Sequence, residues 1–450
     1  MSRSLAEPAA STPARRLSGD ASVGSFPEAR SVTAASADVV GVLAGYPRAS
    51  LRSSVQREVV ADARRRARDF ADGFLRDHVD RLYDEVTANR TRHLRLAEVC
   101  DAVAGVVPGL VPTREGAAAE LRRPLADKEG TDVDQSILIA HLLRSPTAGP
   151  HLMAAMRRPT ARALRLLPEL AATGVVATDS VLVEVRDGAA HLTMRRVDCL
   201  NAEDDAQVED METAVDLALL SEDVRVGVLR GGEMTHPRYA GRRVFSSGIN
   251  LRSLHAGKIS FVDFLLRREM GFLAKIVHGL SGPDDDAWDG GAVQKPWIAA
   301  VESFAIGGGA QIVLACDRVL VERGAYVSLP AASEGIIPGV ANLRLGRIVG
   351  ARVARQMVLA DRRIGTDDPE ARLLFDEVVD PGGMDDLVRT EAARLATPAV
   401  AANRRMLNLA DEPPESFRAY LAEFAVQQAR RVHSEDVLAK VTRFSARQRS

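Results

Sequence analysis

Three short loops in the second half of the chain combine glycines with small or polar residues. A triple glycine at 307–309 stands between an apolar run typical of a strand and an apolar run typical of a helix. Glycine lets the main chain turn tightly and approach a ligand, and N–H groups at a helix N-terminus stabilise developing negative charge. The pattern indicates either amides that bind an oxyanion or plain packing of a helix on a strand. The loops are residues 245–251 (FSSGINL), 303–311 (SFAIGGGAQ) and 329–339 (LPAASEGIIPG).

Strand and helix patterns alternate around these loops. Residues 181–186 and 190–195 have the alternation of two strands, and the Asp187-Gly188 pair between them is typical of a tight hairpin turn. The alternation of strands with helices that follows predicts an α/β domain. Its predicted elements are helices at 204–218 and 261–280, strands at 224–230, 297–301 and 319–321, and a final helical stretch at 416–444.

The residues ahead of the hairpin have a different character. Apolar side chains over 55–82 recur at three-, four- and seven-residue steps, which predicts one long amphipathic helix. The first residues are rich in Ser, Ala, Pro and Arg and have no sustained period, which predicts a mobile tail. We therefore expect a mobile tail over 1–47, a helical N-terminal domain over 48–175, and an α/β domain with C-terminal helices over 176–450.

Composition and charge exclude several classes of protein. A length of 450 residues predicts two or three domains. The 59 basic and 61 acidic residues leave a net charge of −2, which argues against nucleic acid as a partner. No run approaches the roughly 18 apolar residues that a membrane span needs. The N-terminus has no secretory signal, so we expect a cytoplasmic protein. Its three cysteines form no CxxC pair and its nine histidines have no ligand spacing, so we expect no metal centre.

Taken together and in this order, the three loops resemble the crotonase (enoyl-CoA hydratase/isomerase) superfamily over about residues 180–400. The resemblance extends to Leu200-Asn201-Ala202 after the hairpin and to the strand-like segment 222–231. It implies a spiral of ββα units, here preceded by an all-helical N-terminal domain. It also implies a homotrimer or a dimer of trimers that acts on acyl-CoA thioesters.

The resemblance implies an oxyanion hole made of two main-chain amides, those of Ile249 and Gly308. Hydratases of the superfamily also place two glutamates in these loops, where this chain has Gln311 and Ala331. Glutamine cannot act as a base and alanine has no polar group, so ordinary hydration is disfavoured. Glu334 lies three residues beyond Ala331, and we do not expect it to act as the base.

An oxyanion hole without these glutamates leaves three interpretations. One is a non-catalytic acyl-CoA-binding assembly protein of the same fold, and a second is another crotonase-type hydrolase or isomerase. The whole chain, with its helical extension, is similar instead to a dioxygenase branch of the superfamily. That resemblance implies an enzyme without cofactor or metal, which converts an arylacetyl-CoA and O2 into an arylglyoxylate and free CoA. Three small or apolar residues are then expected to line an oxygen pocket: Leu251, Ala331 and Ile336.

Polar residues are available for the hydroxyl groups of an aryl ring. Phe264, Arg268 and Phe272 share one helical face at four-residue steps, so Arg268 is expected to pair with a phenol. The resemblance adds Glu203 and Gln311. Simpler roles stay open: a surface ion pair of Arg268 with Asp263 or Glu269, a helix-terminal acid for Glu203, and a packed amide for Gln311. Arg267 points about 100° away around a regular helix and is expected to matter little.

Overall fold

The N-terminal part of the chain is built of helices that pack around one another. The structure is a computed structural model that describes residues 26–282 and 292–437. The longest helix, α2, begins with a capping box in which Ser53 and Gln56 bond each other's main-chain amides, and it confirms the predicted helix over 55–82. These helices are α1 (Ala29–Ala44), α2 (Ser54–Val86), α3 (Leu96–Val106), α4 (Arg114–Leu121), α5 (Asp132–Arg144), α6 (Ala148–Arg157) and α7 (Ala161–Thr173).

The expectation of a mobile tail over 1–47 is wrong for its second half. Helix α1 packs along α2 and buries Val32 and Val39. Phe26, just ahead of α1, is fully buried with its ring centroid 5.7 Å from that of Phe74. Small alanines carry much of the buried face of α1, so the apolar period is weak in the sequence. The first 25 residues of the expected tail lie outside the described residues.

A mixed seven-stranded sheet forms the centre of the second part. Strands β1 (Val175–Ala177), β2 (Val181–Arg186) and β3 (Ala189–Met194) pair antiparallel. The hairpin turn is the predicted one, with positive φ at Asp187 and Gly188. From β3 the sheet continues in parallel through β4 (Val226–Gly231), β5 (Trp297–Val301), β7 (Arg318–Glu322) and β10 (Glu377–Val379).

A smaller sheet and the connecting helices cover the central sheet. The small sheet has the order β6 (Phe304–Ile306), β8 (Tyr326–Ser328) and β9 (Ile364–Gly365). The helices are α8 (Asp205–Leu220), α9 (Leu251–His255), α10 (Ala274–His278), α11 (Gly308–Val313), α12 (Ala331–Glu334), α13 (Ala341–Leu359), α14 (Ala371–Leu374), α15 (Met384–Leu395), α16 (Pro398–Asp411) and α17 (Pro414–Val432). The last of these packs on α5, so a single apolar core runs from the N-terminal helices into the α/β part.

The predicted regular helix over 261–280 is wrong in its period. The chain forms two π-helical segments, Phe261–Leu266 and Glu269–Leu273, before α10 begins. Gly271 has non-helical backbone angles, and a Cβ there would lie 2.9 Å from a carboxylate oxygen of Glu212. The buried Glu212 carboxylate therefore leaves little room for a side chain at position 271. Such π-helical turns are rare and often occur at functional sites.

Candidate active site

The residues predicted to do chemistry surround one cavity. Its volume is about 100 Å³, and its wall contains all three loops and the first π-helical segment. Among the lining residues are the eight candidates from the sequence, which are Glu203, Ile249, Leu251, Arg268, Gly308, Gln311, Ala331 and Ile336. The folding of the chain thus brings together residues that are up to 133 positions apart.

The first and second loops cross at close range beside this cavity. Gly248 has φ +84°, and a Cβ there would lie 2.8 Å from the carbonyl oxygen of Ile306 and 3.1 Å from the amide nitrogen of Gly308. The Ile306 amide donates to the carbonyl of Ser246 at 2.9 Å and ties the loops together. Only glycine fits at 248, and this brings the next residue, Ile249, beside Gly308.

Both expected oxyanion-hole amides are available to a ligand. Gly308 is the first residue of α11, so its N–H has no acceptor one turn earlier in the helix. Ile249 lies in a short β-bridge with Glu203. The two hydrogen bonds of this bridge run from the Glu203 amide to the Gly248 carbonyl and from the Asn250 amide to the Glu203 carbonyl, so the Ile249 amide takes no part in them. Within residues 26–282 and 292–437, neither amide donates a hydrogen bond to the protein. Two adjacent unpaired amides facing a cavity suit a thioester oxygen that becomes an oxyanion.

Arg268 lies inside the protein, where its guanidinium organises the polar side of the cavity. It is 3% exposed, so the interpretation as a surface ion pair is wrong. Its Nε and one terminal nitrogen donate to the two oxygens of Glu203, at 2.5 and 3.3 Å. The other donors bond Glu269 at 2.9 Å, Gln311 at 2.6 Å and the carbonyl of Gly308 at 2.6 Å. All five donors of the guanidinium therefore have protein acceptors.

Glu203 and Gln311 keep polar capacity that Arg268 does not use. Helix α8 is capped by Asp204, so Glu203 is not needed for that task. Each carboxylate oxygen of Glu203 accepts from Arg268 and has a second lone pair. Gln311 accepts from Arg268 through Oε1, so its Nε2 is the polar group it can present to a ligand. A Cβ at Gly308 would lie 2.7 Å from Glu203, which couples this carboxylate to the oxyanion-hole loop.

Glu269 is a member of this cluster that the sequence analysis mentioned only as a partner for a surface ion pair. It is buried, and burial raises the pKa of its carboxyl although Arg268 lies beside it. Its second oxygen accepts from the amide of Val340 at 3.1 Å. A Cβ at Gly339, where φ is +44°, would lie 2.3 Å from Glu269 and 2.5 Å from Gln311. The end of the third loop is thereby fitted to the charged cluster.

Part of the cavity lining is apolar. Leu251, Ala331 and Ile336 lie there with Phe264 and Ile337, and Ala331 is buried. The C-terminal helix α17 also reaches the cavity through Phe424 and Gln428, which the sequence analysis did not select. Their four-residue spacing places both on one helical face and was the available signal. Glu334 lines the cavity as well.

Arg267, expected to matter little, belongs to a second buried ion cluster. Its side chain points away from the cavity as predicted, but it donates to the fully buried Glu212 at 2.7 Å. Glu212 also accepts from Lys275 at 2.8 Å and from Arg95 at 2.5 Å. Although burial opposes ionisation, these three cations hold the pKa of Glu212 at about 2. The helical period of the sequence predicted that Arg267 points away from the cavity, but it did not predict the ion pair with Glu212.

Over 26–282 and 292–437, no three His, Cys, Asp or Glu side chains are grouped so that they could hold a metal ion. No helix in the same ranges is long and apolar enough to cross a membrane.

Comparisons with known proteins agree with this geometry. The family model for enoyl-CoA hydratase/isomerase matches residues 279–436. The (3,5-dihydroxyphenyl)acetyl-CoA 1,2-dioxygenase of Amycolatopsis orientalis is 54% identical over 417 residues, which are 93% of this chain and 96% of that protein. A probable enoyl-CoA hydratase of Rhizobium meliloti (strain 1021) is 29% identical over 207 residues, which are 45% of this chain and 70% of that protein.

A solved structure shares the fold of the second part. An enoyl-CoA hydratase/isomerase from Xanthobacter autotrophicus Py2 superposes with a TM-score of 0.50 at 24% identity, over 60% of this chain and 94% of that chain. The similarity to the Amycolatopsis enzyme covers nearly the whole chain and so includes N-terminal helices. The chain therefore belongs to the crotonase (enoyl-CoA hydratase/isomerase) superfamily, in the family of that dioxygenase.

Proposed function

We propose that this protein is a dioxygenase that converts (3,5-dihydroxyphenyl)acetyl-CoA and O2 into 3,5-dihydroxyphenylglyoxylate and free CoA. The reaction needs no metal and no organic cofactor. One observation carries the proposal. The chain keeps both oxyanion-hole amides but has Gln311 and Ala331 in place of hydratase glutamates, and it is 54% identical to such a dioxygenase over nearly its full length.

The first step is loss of a proton from the carbon between the ring and the thioester. The resulting enolate places negative charge on the thioester oxygen, which the amides of Ile249 and Gly308 bind. A single such donor typically contributes about 3–4 kcal/mol of transition-state stabilisation. The carbanion also spreads into the ring, so the proton is more acidic than that of an alkyl thioester. This lowers the demand for a strong base.

The enolate then reacts with O2. It gives one electron to O2, and recombination of superoxide with the carbon radical forms a peroxide at Cα. The outer peroxide oxygen attacks the thioester carbonyl and expels CoA as its thiolate, which takes up a proton. Cleavage of the O–O bond with loss of the second Cα proton gives the arylglyoxylate. Both oxygen atoms of O2 end in the product, and no outside reductant is needed.

The apolar wall suits this chemistry. Leu251, Ala331 and Ile336 line the cavity with side chains that have no proton donors, against which O2 can lie beside the enolate. Alanine at 331 removes an acid that would return a proton to Cα. The oxygen pocket is therefore assigned to these three residues.

The polar wall suits the ring hydroxyls. Glu203 accepts a hydrogen bond from one phenol, and the Nε2 group of Gln311 donates to the other. Arg268 holds both side chains in place rather than meeting the ring itself, because its donors already have acceptors. A charge-assisted hydrogen bond of this kind contributes about 1.5–3 kcal/mol.

We further propose a homotrimer or a dimer of trimers in the cytoplasm. Helix α16 leaves Met406 and Leu407 each 63% exposed, with Leu409 nearby also exposed. Side chains of this size on one short helix suit a contact between subunits. Sedimentation at several concentrations distinguishes this assembly from a monomer.

The direct test uses protein treated with a chelator and dialysed. With (3,5-dihydroxyphenyl)acetyl-CoA and labelled ¹⁸O2, we expect oxygen uptake and free thiol in equal amounts and two labelled atoms in the glyoxylate. Thiol release that continues without O2 would identify a hydrolase instead. Activity that is lost on chelation and restored by iron or copper would refute the cofactor-free reaction.

A further inference from the structure

The third loop of the candidate active site is hydrogen-bonded to the C-terminal helix α17. Tyr420 donates through its hydroxyl to the carbonyl of Gly339 at 2.5 Å. The amide of Ile337 donates to Oε1 of Gln428 at 2.9 Å, and Arg431 donates through Nε to the carbonyl of Gly335 at 2.9 Å. Three side chains of one helix thus hold the main chain over 335–339.

The segment held by these hydrogen bonds, residues 335–339, also shapes the proposed oxygen pocket. Ile336 lies between two of the bonded positions, and Ala331 is joined to it by the bond from the Ile336 amide to the Ala331 carbonyl at 3.1 Å. Phe424, one turn from both Tyr420 and Gln428, lines the same cavity. A shift of this loop would therefore move the apolar wall directly.

Helix α17 is itself fixed by the N-terminal helices. Arg418 donates to the carbonyls that end α5, those of Leu143 and Ser145. At the other end of α17, His433 lies 3.1 Å from Asp132 at the start of α5. The inner face of α17 is buried through Phe417, Leu421 and Ala425. The N-terminal helices thus hold the helix that contacts the third loop.

We propose that Gln428 and Tyr420 are positioning residues that decide how the enolate reacts. By holding the third loop against the cavity they keep water out of it, so that the enolate reacts with O2 before it is protonated. This inference rests on the proposed dioxygenase function. Protonation of the enolate returns the starting thioester, and hydrolysis uses one water to give the arylacetate and CoA. Neither of these side reactions consumes O2.

The measurement is the amount of glyoxylate formed per free CoA, together with exchange of Cα protons in deuterated buffer. Gln428→Met keeps the size of the side chain but removes the acceptor for the Ile337 amide. We expect the glyoxylate yield per CoA to fall by about two- to tenfold, the factor that one lost hydrogen bond supports. Deuterium exchange should increase relative to oxygen uptake.

A matched control lies next to this residue. Gln427 is exposed and bonds Glu423 on the surface at 2.7 Å, so Gln427→Met should keep the wild-type yield. Tyr420→Phe removes a single oxygen atom and should shift the yield in the same direction, which gives the test if Gln428→Met does not fold.

The outcomes separate the inference from the proposed function. A folded Gln428→Met or Tyr420→Phe protein that slows turnover but keeps the wild-type ratio of glyoxylate to CoA would overturn the positioning role. Wild-type protein that releases CoA without consuming O2 would instead overturn the proposed function, whatever the variants do.

Discussion

Arg268 binds the carboxylate of Glu203 through two hydrogen bonds, and both side chains are almost fully buried next to Gly308, the glycine of the proposed oxyanion hole. A buried carboxylate needs such a partner, because an isolated charge in the interior is strongly disfavoured. The pair therefore places a charged acceptor at the cavity wall without leaving it uncompensated. We expect this pair to select a substrate with a hydroxylated ring.

Glu203→Gln tests that selection. The amide keeps the shape of the side chain and can still accept one hydrogen bond from Arg268 through its single oxygen, but it no longer offers a charged acceptor to a phenol. We expect kcat/KM for (3,5-dihydroxyphenyl)acetyl-CoA to fall about 10- to 150-fold, which corresponds to about 1.5–3 kcal/mol. The loss should be much smaller for phenylacetyl-CoA, which has no hydroxyls. Glu222→Gln, at an exposed position, is the control. Equal losses for both substrates would mark Glu203 as structural.

Gly308→Ala tests the oxyanion hole. The new Cβ would lie 2.7–2.8 Å from both oxygens of Glu203, so the loop or the carboxylate must move. Displacement of one oxyanion donor typically lowers kcat by about 10²–10³-fold, and we expect a loss of this size. Gly346→Ala is the matched control, because nothing lies within 4 Å of a Cβ there. Wild-type turnover by Gly308→Ala, measured as release of free thiol, would contradict the assignment.

Ala331→Glu tests the oxygen pocket. It puts an ionisable side chain where O2 is proposed to lie and offers a proton to the enolate. Oxygen uptake should fall strongly while exchange of the Cα proton with solvent persists, because the amides of Ile249 and Gly308 are unchanged. Ala332→Glu, at the next and exposed position, should behave as wild type. Oxygen uptake at the wild-type rate in Ala331→Glu would show that the pocket lies elsewhere.

The sequence predicted the residues that line the cavity better than the contacts that hold these residues in place. Glycines, strand periods and a hairpin turn are local signals that predicted the α/β elements and the loops, whereas the resemblance to the crotonase superfamily supplied the eight candidate residues that line one cavity. The contacts of Arg268 with Glu203 and Gln311, and of Arg267 with Glu212, join segments far apart in the chain, and no local pattern contains that information. The same holds for the close approach of Glu212 to Gly271 beside the π-helical turns. The helix α1 was missed because alanine buries little surface and gives a weak period.

Arg95→Ala tests the contact between the N-terminal helices and the α/β part. Arg95 precedes α3 and donates to Glu212, which keeps Lys275 and Arg267 as partners when Arg95 is removed. A hydrogen bond to a buried charge contributes about 1.5–3 kcal/mol, so we expect the free energy of unfolding to fall by about that amount. Arg114→Ala removes an exposed ion pair with Asp101 and should change stability by less than about 1 kcal/mol. Equal effects in urea denaturation would show that the Glu212 cluster does not depend on Arg95.

The dependence of stability on pH should carry a contribution from His191 in β3. Burial, reinforced by Arg186 and Arg230, lowers the pKa of its imidazole from 6.5 to about 4. The unfolded chain therefore binds a proton at this residue below about pH 6.5, whereas the folded protein binds it only below about pH 4. Since the unfolded state gains the proton first, the folded state loses stability as the pH falls through this window. His191→Gln should flatten that part of the profile of thermal unfolding midpoint against pH. The difference between the wild-type and variant midpoints should be constant above pH 7 and shrink or reverse between pH 6.5 and 4. Parallel profiles across the window would show that His191 is protonated equally in both states.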